Sequence, residues 1–391
     1  MPLAIYALAL AAFAIGSAEF VISGILPPLA ADLAVSIPTA GLLVTAYAVG
    51  VAIGGPILSV ITARYPPKPI LIGVMLLFTL SQVLCALAPD YNMLLIARLL
   101  SASVHGLFFG AGGVFVANLV PGEKRGAAFS LFVSGITIAN LLGLPGGSAI
   151  GFHFGWRATF LAVAVIGVIG VLALTFMLPA AKAEDPQQAS FRAQFRELRH
   201  QQVYLSYITI AFVMVGALAF GTFQVPILLN ITHVSDTIVP FYLLLGGVGS
   251  ILGIFLGGRG TDWKPMPALI TVLLLQALLY FTMIFAMHDL VWMTVNLFAS
   301  SIVGYAFSTP LQSRVLSAAH AAPNLASALV STAFNIGIAG GAFIGATLLN
   351  ADVSYADLPA VGVVSALCAA ATASLSYWLE RRETARTALA H

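Results

Sequence analysis

Glu19 lies inside an apolar stretch, residues 3–29, that is long enough to cross a bilayer and holds no other charge. A carboxylate near the middle of a hydrocarbon-spanning helix costs on the order of 3 kcal/mol on insertion scales. Such a group faces a cavity, takes up a proton or finds a partner. Gly16, Glu19, Ser23 and Pro27 share one stripe at helical spacing, small and polar on an otherwise apolar rod. Arg98, Ser101 and His105 form a second polar face, at i, i+3 and i+7 of another apolar stretch, with Arg98 about 8 Å deep. Each residue has two readings. Arg98 can snorkel to the interface, His105 can bond a neighbouring carbonyl, and Glu19 can be a carboxylate permanently paired with Arg98 or capping a helix defect. The chemical reading is proton exchange. Burial disfavours the charged form of a carboxyl and a nearby cation favours it, so a group held between the two can load and release a proton. With Arg98 fixed positive, that change of one charge in low dielectric biases a conformational equilibrium by a few kcal/mol.

The composition says what must hold these groups. The chain is 60% hydrophobic and 8% charged, against about 25% charged residues in soluble proteins, which makes it a polytopic membrane protein. The net charge of +2 is dispersed over short loops and implies no nucleic-acid partner. Cys85 and Cys368 sit singly within apolar segments, with no spacing for metal ligation, and read as packing residues. No soluble catalytic domain and no Gly-rich run ending in Lys-Ser or Lys-Thr occurs, so neither an enzyme nor ATP-driven transport is expected. The first stretch is too long for a signal-peptide core and reads as a retained helix.

Twelve stretches meet the length of about 20 residues needed to span: residues 3–29, 39–62, 70–88, 93–119, 127–150, 157–178, 203–229, 238–258, 266–286, 290–311, 325–349 and 358–379. One long polar connection, 179–202, divides them into six and six. The expected fold is therefore an all-α integral membrane protein of two pseudo-symmetric six-helix bundles, 1–178 and 203–379, joined by the 179–202 linker and followed by a tail, 380–391. Of the 16 Lys and Arg, 14 fall in loops on one side, while the other side carries Arg157 and a series of Asp. The positive-inside rule puts the basic side, with both termini, in the cytoplasm. All four tryptophans fall at span ends, where an amphipathic ring prefers to sit.

The halves repeat. Gly143, Gly147 and Gly151 recur as Gly337, Gly341 and Gly345, each 194 residues on, and both runs are small-residue stripes that let helix backbones approach in lipid. Gly50 and Gly54 recur as Gly249 and Gly253 at an offset of 199, and Asn140 precedes the first stripe as Asn335 precedes the second, one residue out of register. Two homologous six-helix halves are an architecture of secondary transporters.

Twelve spans, a long central loop and this half-repeat resemble the major facilitator superfamily over the whole chain. The segments Ala18-Glu19-Phe20, His105-Gly106-Leu107-Phe108-Phe109-Gly110 and Gly155-Trp156-Arg157-Ala158-Thr159-Phe160 are similar to its twelve-span drug:proton antiporter branch, especially the arabinose-efflux-like and chloramphenicol-resistance exporters. The resemblance implies that Arg98 is the family's arginine of the fourth span. It implies a cytoplasmic gate after the second span, of which only Arg64 and Lys68 remain here, with the missing acid supplied in the second half by Asp262. It also implies an exporter motif in the fifth span, present in compressed form as Gly143-Leu144-Pro145-Gly146-Gly147. In the family the fifth span meets the eighth and the eleventh meets the second, so Gly143, Gly147, Gly337 and Gly341 are expected at helix contacts, some of them between the halves.

By the same resemblance, a substrate cavity takes its candidates from Tyr47, Asn140, Phe220, Phe223, Gln224, Tyr242, Asn296, Phe334 and Asn335. Each aromatic also fits plain packing, whereas an amide in lipid needs a partner. No second carboxylate lies inside any span, so neutral, weakly polar or zwitterionic organic molecules such as drugs fit better than dications. The resulting expectation is a monomeric, proton-coupled exporter in a bacterial inner membrane. It uses no cofactor or metal, is driven by the proton gradient, and has small molecules, protons and lipid as its partners. A sugar, nucleoside or purine exporter, or an importer, shares the fold. A channel would show a charge ring or filter loop and a receptor an output domain, and neither is visible. The orientation is directly testable. In a chain freed of Cys85 and Cys368, Asp90→Cys is expected to react with a membrane-impermeant maleimide in intact cells, and Ala189→Cys is not; labelling of the Ala189 site alone reverses the topology.

Overall fold

The computed structural model describes residues 1–62, 64–180, 201–318 and 323–389. Most of the 179–202 connection, with its basic residues, and the last two residues of the expected tail therefore lie outside the described residues. Twelve helices are long and apolar enough to cross a membrane. We label them α1 (Leu3–Asp32), α2 (Ile37–Thr62), α3 (Pro67–Leu87), α4 (Tyr91–Leu119), α5 (Gly122–Phe154), α6 (Trp156–Met177), α7 (Gln201–Asn230), α8 (Val239–Trp263), α9 (Pro265–Ala286), α10 (Leu290–Val315), α11 (Leu329–Asn350) and α12 (Tyr355–Arg382). No strand occurs among the described residues.

Local chemistry sets the helix ends. Asp90 caps α4 by accepting from the Met93 N–H at 2.9 Å, and Asp289 caps α10 by accepting from Val291 and Trp292, both at 2.9 Å; each satisfies amides that the first turn leaves without an acceptor. Pro67 and Pro265 open α3 and α9, where a missing N–H costs nothing. Proline also explains the irregular turn inside α5. Pro145 cannot donate to the carbonyl of Leu141, and the helix widens to a π-turn over Ala139–Gly143. Asn140 stands in that turn. The chain ends one helix of α7 at Gly221 and starts the next at Gln224, so α7 is broken at Thr222 and Phe223.

The chain divides into two compact units, Met1–Gln187 with Thr222–Leu244, and Gln188–Gly221 with Leu245–His391. In the first, α1 packs against α2, α5 and α6, while α4 packs against α2 and α3. Its core holds Leu8, Ile15, Phe78, Phe108 and Phe132, all fully buried. In the second, the Gln201–Gly221 helix packs against α11 and α12, and α9 lies against α10 and α12. Its core is built from Ile210, Leu269, Leu273, Phe307 and Ala369. Large apolar residues such as Ile96, Val165 and Phe176 point outward, as a lipid-facing surface requires.

The glycine stripes seat these helices. A Cβ on Gly143 would collide with Ser17, on Gly147 with Val21 and on Gly151 with Ile25, so the α5 stripe faces α1. In the second unit a Cβ on Gly337 would meet Ala211 and Met214, and one on Gly341 would meet Val215 and Ala219. Ser17, Val21 and Ile25 precede Ala211, Val215 and Ala219 by the same 194 residues that separate the glycines, so both sides of the contact repeat. By contrast, Gly146 has open space where a Cβ would go. Gly147→Leu and Gly341→Leu are each expected to destabilise the inserted protein by about 3 kcal/mol or more and to abolish transport, with Gly146→Ala neutral, as read by the thermal midpoint in detergent and by transport in vesicles. Wild-type behaviour of both leucine variants contradicts the close contact.

Candidate functional site

Arg98 is completely buried in the first unit, although it carries a fixed charge. The residue sits on α4 where that helix passes α1 and α2. Its Nη1 donates to the carbonyl oxygen of Ala18 at 2.5 Å, and its guanidinium lies over the ring of Tyr47, 4.2 Å from the centroid. Snorkelling is thereby ruled out, since the head group reaches inward to α1. The Tyr47 hydroxyl and His105 Nδ1 share a hydrogen bond of 3.1 Å, and the His105 ring packs on Phe109 at 5.1 Å. His105 is thus bonded to a tyrosine hydroxyl, not to a neighbouring carbonyl.

Glu19 follows Ala18 on α1 and is half-buried. Among the described residues no ion pair within 4 Å joins it to Arg98, although the arginine is the cation that acts on it electrostatically. Two of the arginine's nitrogens, Nε and Nη2, have no hydrogen-bond partner. A buried cation with two unmatched donors is costly, and the Glu19 carboxylate is a charge that offsets it. The stretch Ala18-Glu19 therefore offers the arginine a carbonyl that it uses and a carboxylate held nearby.

A buried amide network extends this cluster to α3. Gln82 Nε2 donates to Ser101 Oγ at 2.8 Å and lies 3.3 Å from Ser81 Oγ, while its Oε1 has no partner. The sequence reading missed Gln82. The signal was present, because Gln276 stands 194 residues on, is likewise buried, and likewise has an unpartnered Oε1.

The remaining candidates divide between the units. In the first, Phe223 is fully buried with its ring against the Cα of Gly41. Gln224, half-buried, follows the α7 break, Tyr242 is buried, and Asn140 is half-buried. In the second, Phe220 is buried, Phe334 packs on Phe307 at 6.1 Å, and Asn335 donates to the Ser331 carbonyl at 2.9 Å while its Oδ1 lacks a partner. Asn296 is satisfied, donating to Thr282 Oγ1 at 2.7 Å and accepting from Ser300 Oγ at 3.1 Å. Of the gate candidates, Lys68 Nζ donates to the Leu178 carbonyl at 2.6 Å, whereas Arg64 and Asp262 are exposed. Pro145 is buried beside the π-turn.

Two further polar clusters were not singled out from sequence. Asp32 at the end of α1 pairs with Arg157 and accepts from Trp156 Nε1 at 3.0 Å, while Arg157 Nη2 donates to the Ala88 carbonyl at 3.0 Å. Gly155, at φ +86°, makes the turn that starts α6 there, and a cavity of about 320 Å³ opens beside it. In the second unit Arg314 donates to Gln202 Oε1 at 2.7 Å, to Ser376 Oγ at 2.9 Å and to Glu380 at 3.1 Å, joining α7, α10 and α12.

Comparison with known proteins agrees with this architecture. An inner membrane transport protein of Escherichia coli, YdhP, is 36% identical over 92% of both chains. The putative transporter AraJ of Escherichia coli is 33% identical over 90% of this chain and 89% of its own. A chloramphenicol resistance protein of Streptomyces lividans is 30% identical over 90% of each. Among solved structures, a bacterial homologue of the human lysosomal transporter Spinster superposes with a TM-score of 0.74 over 95% of this chain and 96% of that one, at 18% identity. Residues 8–346 match the family model described as the Major Facilitator Superfamily, and the chain belongs to that superfamily.

Proposed function

We propose that this multi-pass membrane transporter is a proton-coupled exporter of small neutral, weakly polar or zwitterionic organic compounds, working by alternating access. We place it in a bacterial inner membrane with both termini cytoplasmic. The observation that carries the reading is the fully buried Arg98, tied to the Ala18 carbonyl beside the one acid that lies deep inside a span. Proton loading of Glu19 changes the charge facing Arg98 by one unit where the dielectric is low, which shifts the balance between conformations. A membrane potential adds about 2.3 kcal/mol per charge per 100 mV to the same balance. A carboxylate that must be neutralised before its site can close gives obligatory exchange of proton for substrate. Tyr47, itself bonded to His105 of α4, holds the guanidinium from the α2 side and keeps it facing α1.

The substrate class rests on two supports. The twelve apolar stretches of the sequence hold no second carboxylate that would serve a dication, and a relative over nine-tenths of the chain bears a name that links it to chloramphenicol, a neutral compound. Glu19→Gln mimics the protonated form. In proteoliposomes with a pH gradient, tested on chloramphenicol and a panel of neutral and zwitterionic drugs, it is expected to abolish uphill accumulation of whichever compounds the wild type concentrates. Binding of those compounds is expected to persist and to lose its pH dependence. Undiminished uphill transport by Glu19→Gln moves the coupling site elsewhere, with His105 the next residue to test.

A further inference from the structure

Four cations at one end of the second unit are stacked on aromatic rings. Arg259 lies over Phe255 at 4.2 Å, Lys264 over Trp263 at 5.2 Å, Arg381 over Tyr377 at 5.7 Å and Arg382 over Trp378 at 3.6 Å. Three of the pairs are spaced i and i+4, which places ring and cation on the same helix face. The pairs also sit at the same end of the unit. Arg259 and Trp263 end α8, Lys264 leads directly into α9, and the first turns of α9, at Met266 and Leu269, pack in one core with Ala373 and Tyr377 near the end of α12.

Three of the four rings are exposed, and Tyr377 is half-buried. Trp263 is 74% exposed, Phe255 59% and Trp378 48%. Glu380 is engaged by Arg314, so among the described side chains Asp262 is the one other carboxylate in this group. Loop cations that serve only to orient a chain have no need of a ring beneath them. A cation fixed on an outward ring at a span end presents apolar surface to acyl chains and positive charge at headgroup depth.

We propose that this surface binds the headgroups of anionic phospholipids in the leaflet on the basic side of the protein. Among the described side chains, four cations against one unengaged carboxylate match phosphodiester headgroups without a compensating ammonium, such as phosphatidylglycerol or cardiolipin, better than zwitterionic phosphatidylethanolamine. Each surface cation contributes about a fivefold gain in affinity for such a lipid. The site is separate from Glu19 and Arg98, and its test does not depend on transport.

The probe is dibrominated phosphatidylglycerol, which quenches tryptophan fluorescence on contact, compared with dibrominated phosphatidylethanolamine in vesicles otherwise made of phosphatidylcholine. At low mole fraction the anionic lipid is expected to quench several-fold more than the zwitterionic one. The combined variant R259Q/K264Q/R381Q/R382Q, which keeps all four rings, is expected to remove that preference, and the charge-retaining variant R259K/K264R/R381K/R382K to restore it. Its thermal midpoint in phosphatidylcholine reports whether the neutral variant is folded; if it is not, the single variants R382Q and K264Q carry the test, each with about a fivefold loss of preference. Soluble glycerol phosphate is expected not to compete. Equal quenching by the two lipids in the wild type, an undiminished preference in the folded neutral variants, or displacement by glycerol phosphate overturns the proposal.

Discussion

Burying the guanidinium of Arg98 is the constraint on which the first unit depends. A fixed charge removed from water needs close compensation, and here it is assembled from two neighbouring helices: the Ala18 carbonyl and the nearby Glu19 carboxylate of α1, and the Tyr47 ring of α2. Each contributor is itself held. Tyr47 is fixed by His105, which shares one face of α4 with Arg98, and Ser101 on that same face is tied to α3 through Gln82. The polar interior is thus a small network with a few unmatched donors and acceptors, and the cost of those unmatched groups makes its arrangement sensitive to one added or removed proton.

That network works only if α1 stays close to its neighbours. The α5 glycines supply the closeness, since side chains of Ser17, Val21 and Ile25 occupy the space their missing Cβ atoms leave. Ser148 strengthens the same seam by donating to the Gly24 carbonyl at 2.8 Å. The second unit repeats the seam with Ala211, Val215 and Ala219 against Gly337 and Gly341, but among its described residues no arginine is fully buried. There one arginine, Arg314, sits near the helix ends and is matched by Gln202, Ser376 and Glu380. The two halves share a packing scheme and differ in where they place charge.

Much of this was legible in the residues. Twelve spans follow from length and hydropathy, and Glu19 and Arg98 stand out because charge inside an apolar run has few explanations. The glycine stripes announced close contacts, although the register of their partners on α1 and α7 became visible only with coordinates. What was not legible depends on where neutral polar groups meet in three dimensions. Gln82 reads as one amide among many until Ser101 faces it, and Arg314 counts as a loop cation until Gln202 and Ser376 close around it. Asp32 and Arg157 are 125 residues apart in sequence, beyond any local pattern. The π-turn of α5 was encoded by Pro145, but the widening it causes at Asn140 is a geometric consequence and not a motif.

The central claim is that Glu19 itself takes up and releases a proton beside Arg98. Infrared difference spectroscopy of the purified protein, recorded between acidic and alkaline pH, reads protonated carboxyl groups through their C=O stretch. Subtracting the difference spectrum of Glu19→Gln isolates the contribution of this one residue from the exposed acids of the loops. The account predicts one carboxyl band that appears on acidification, at the frequency of a weakly solvated acid, and is missing from the variant at every pH. Superimposable difference spectra of wild type and Glu19→Gln would contradict it.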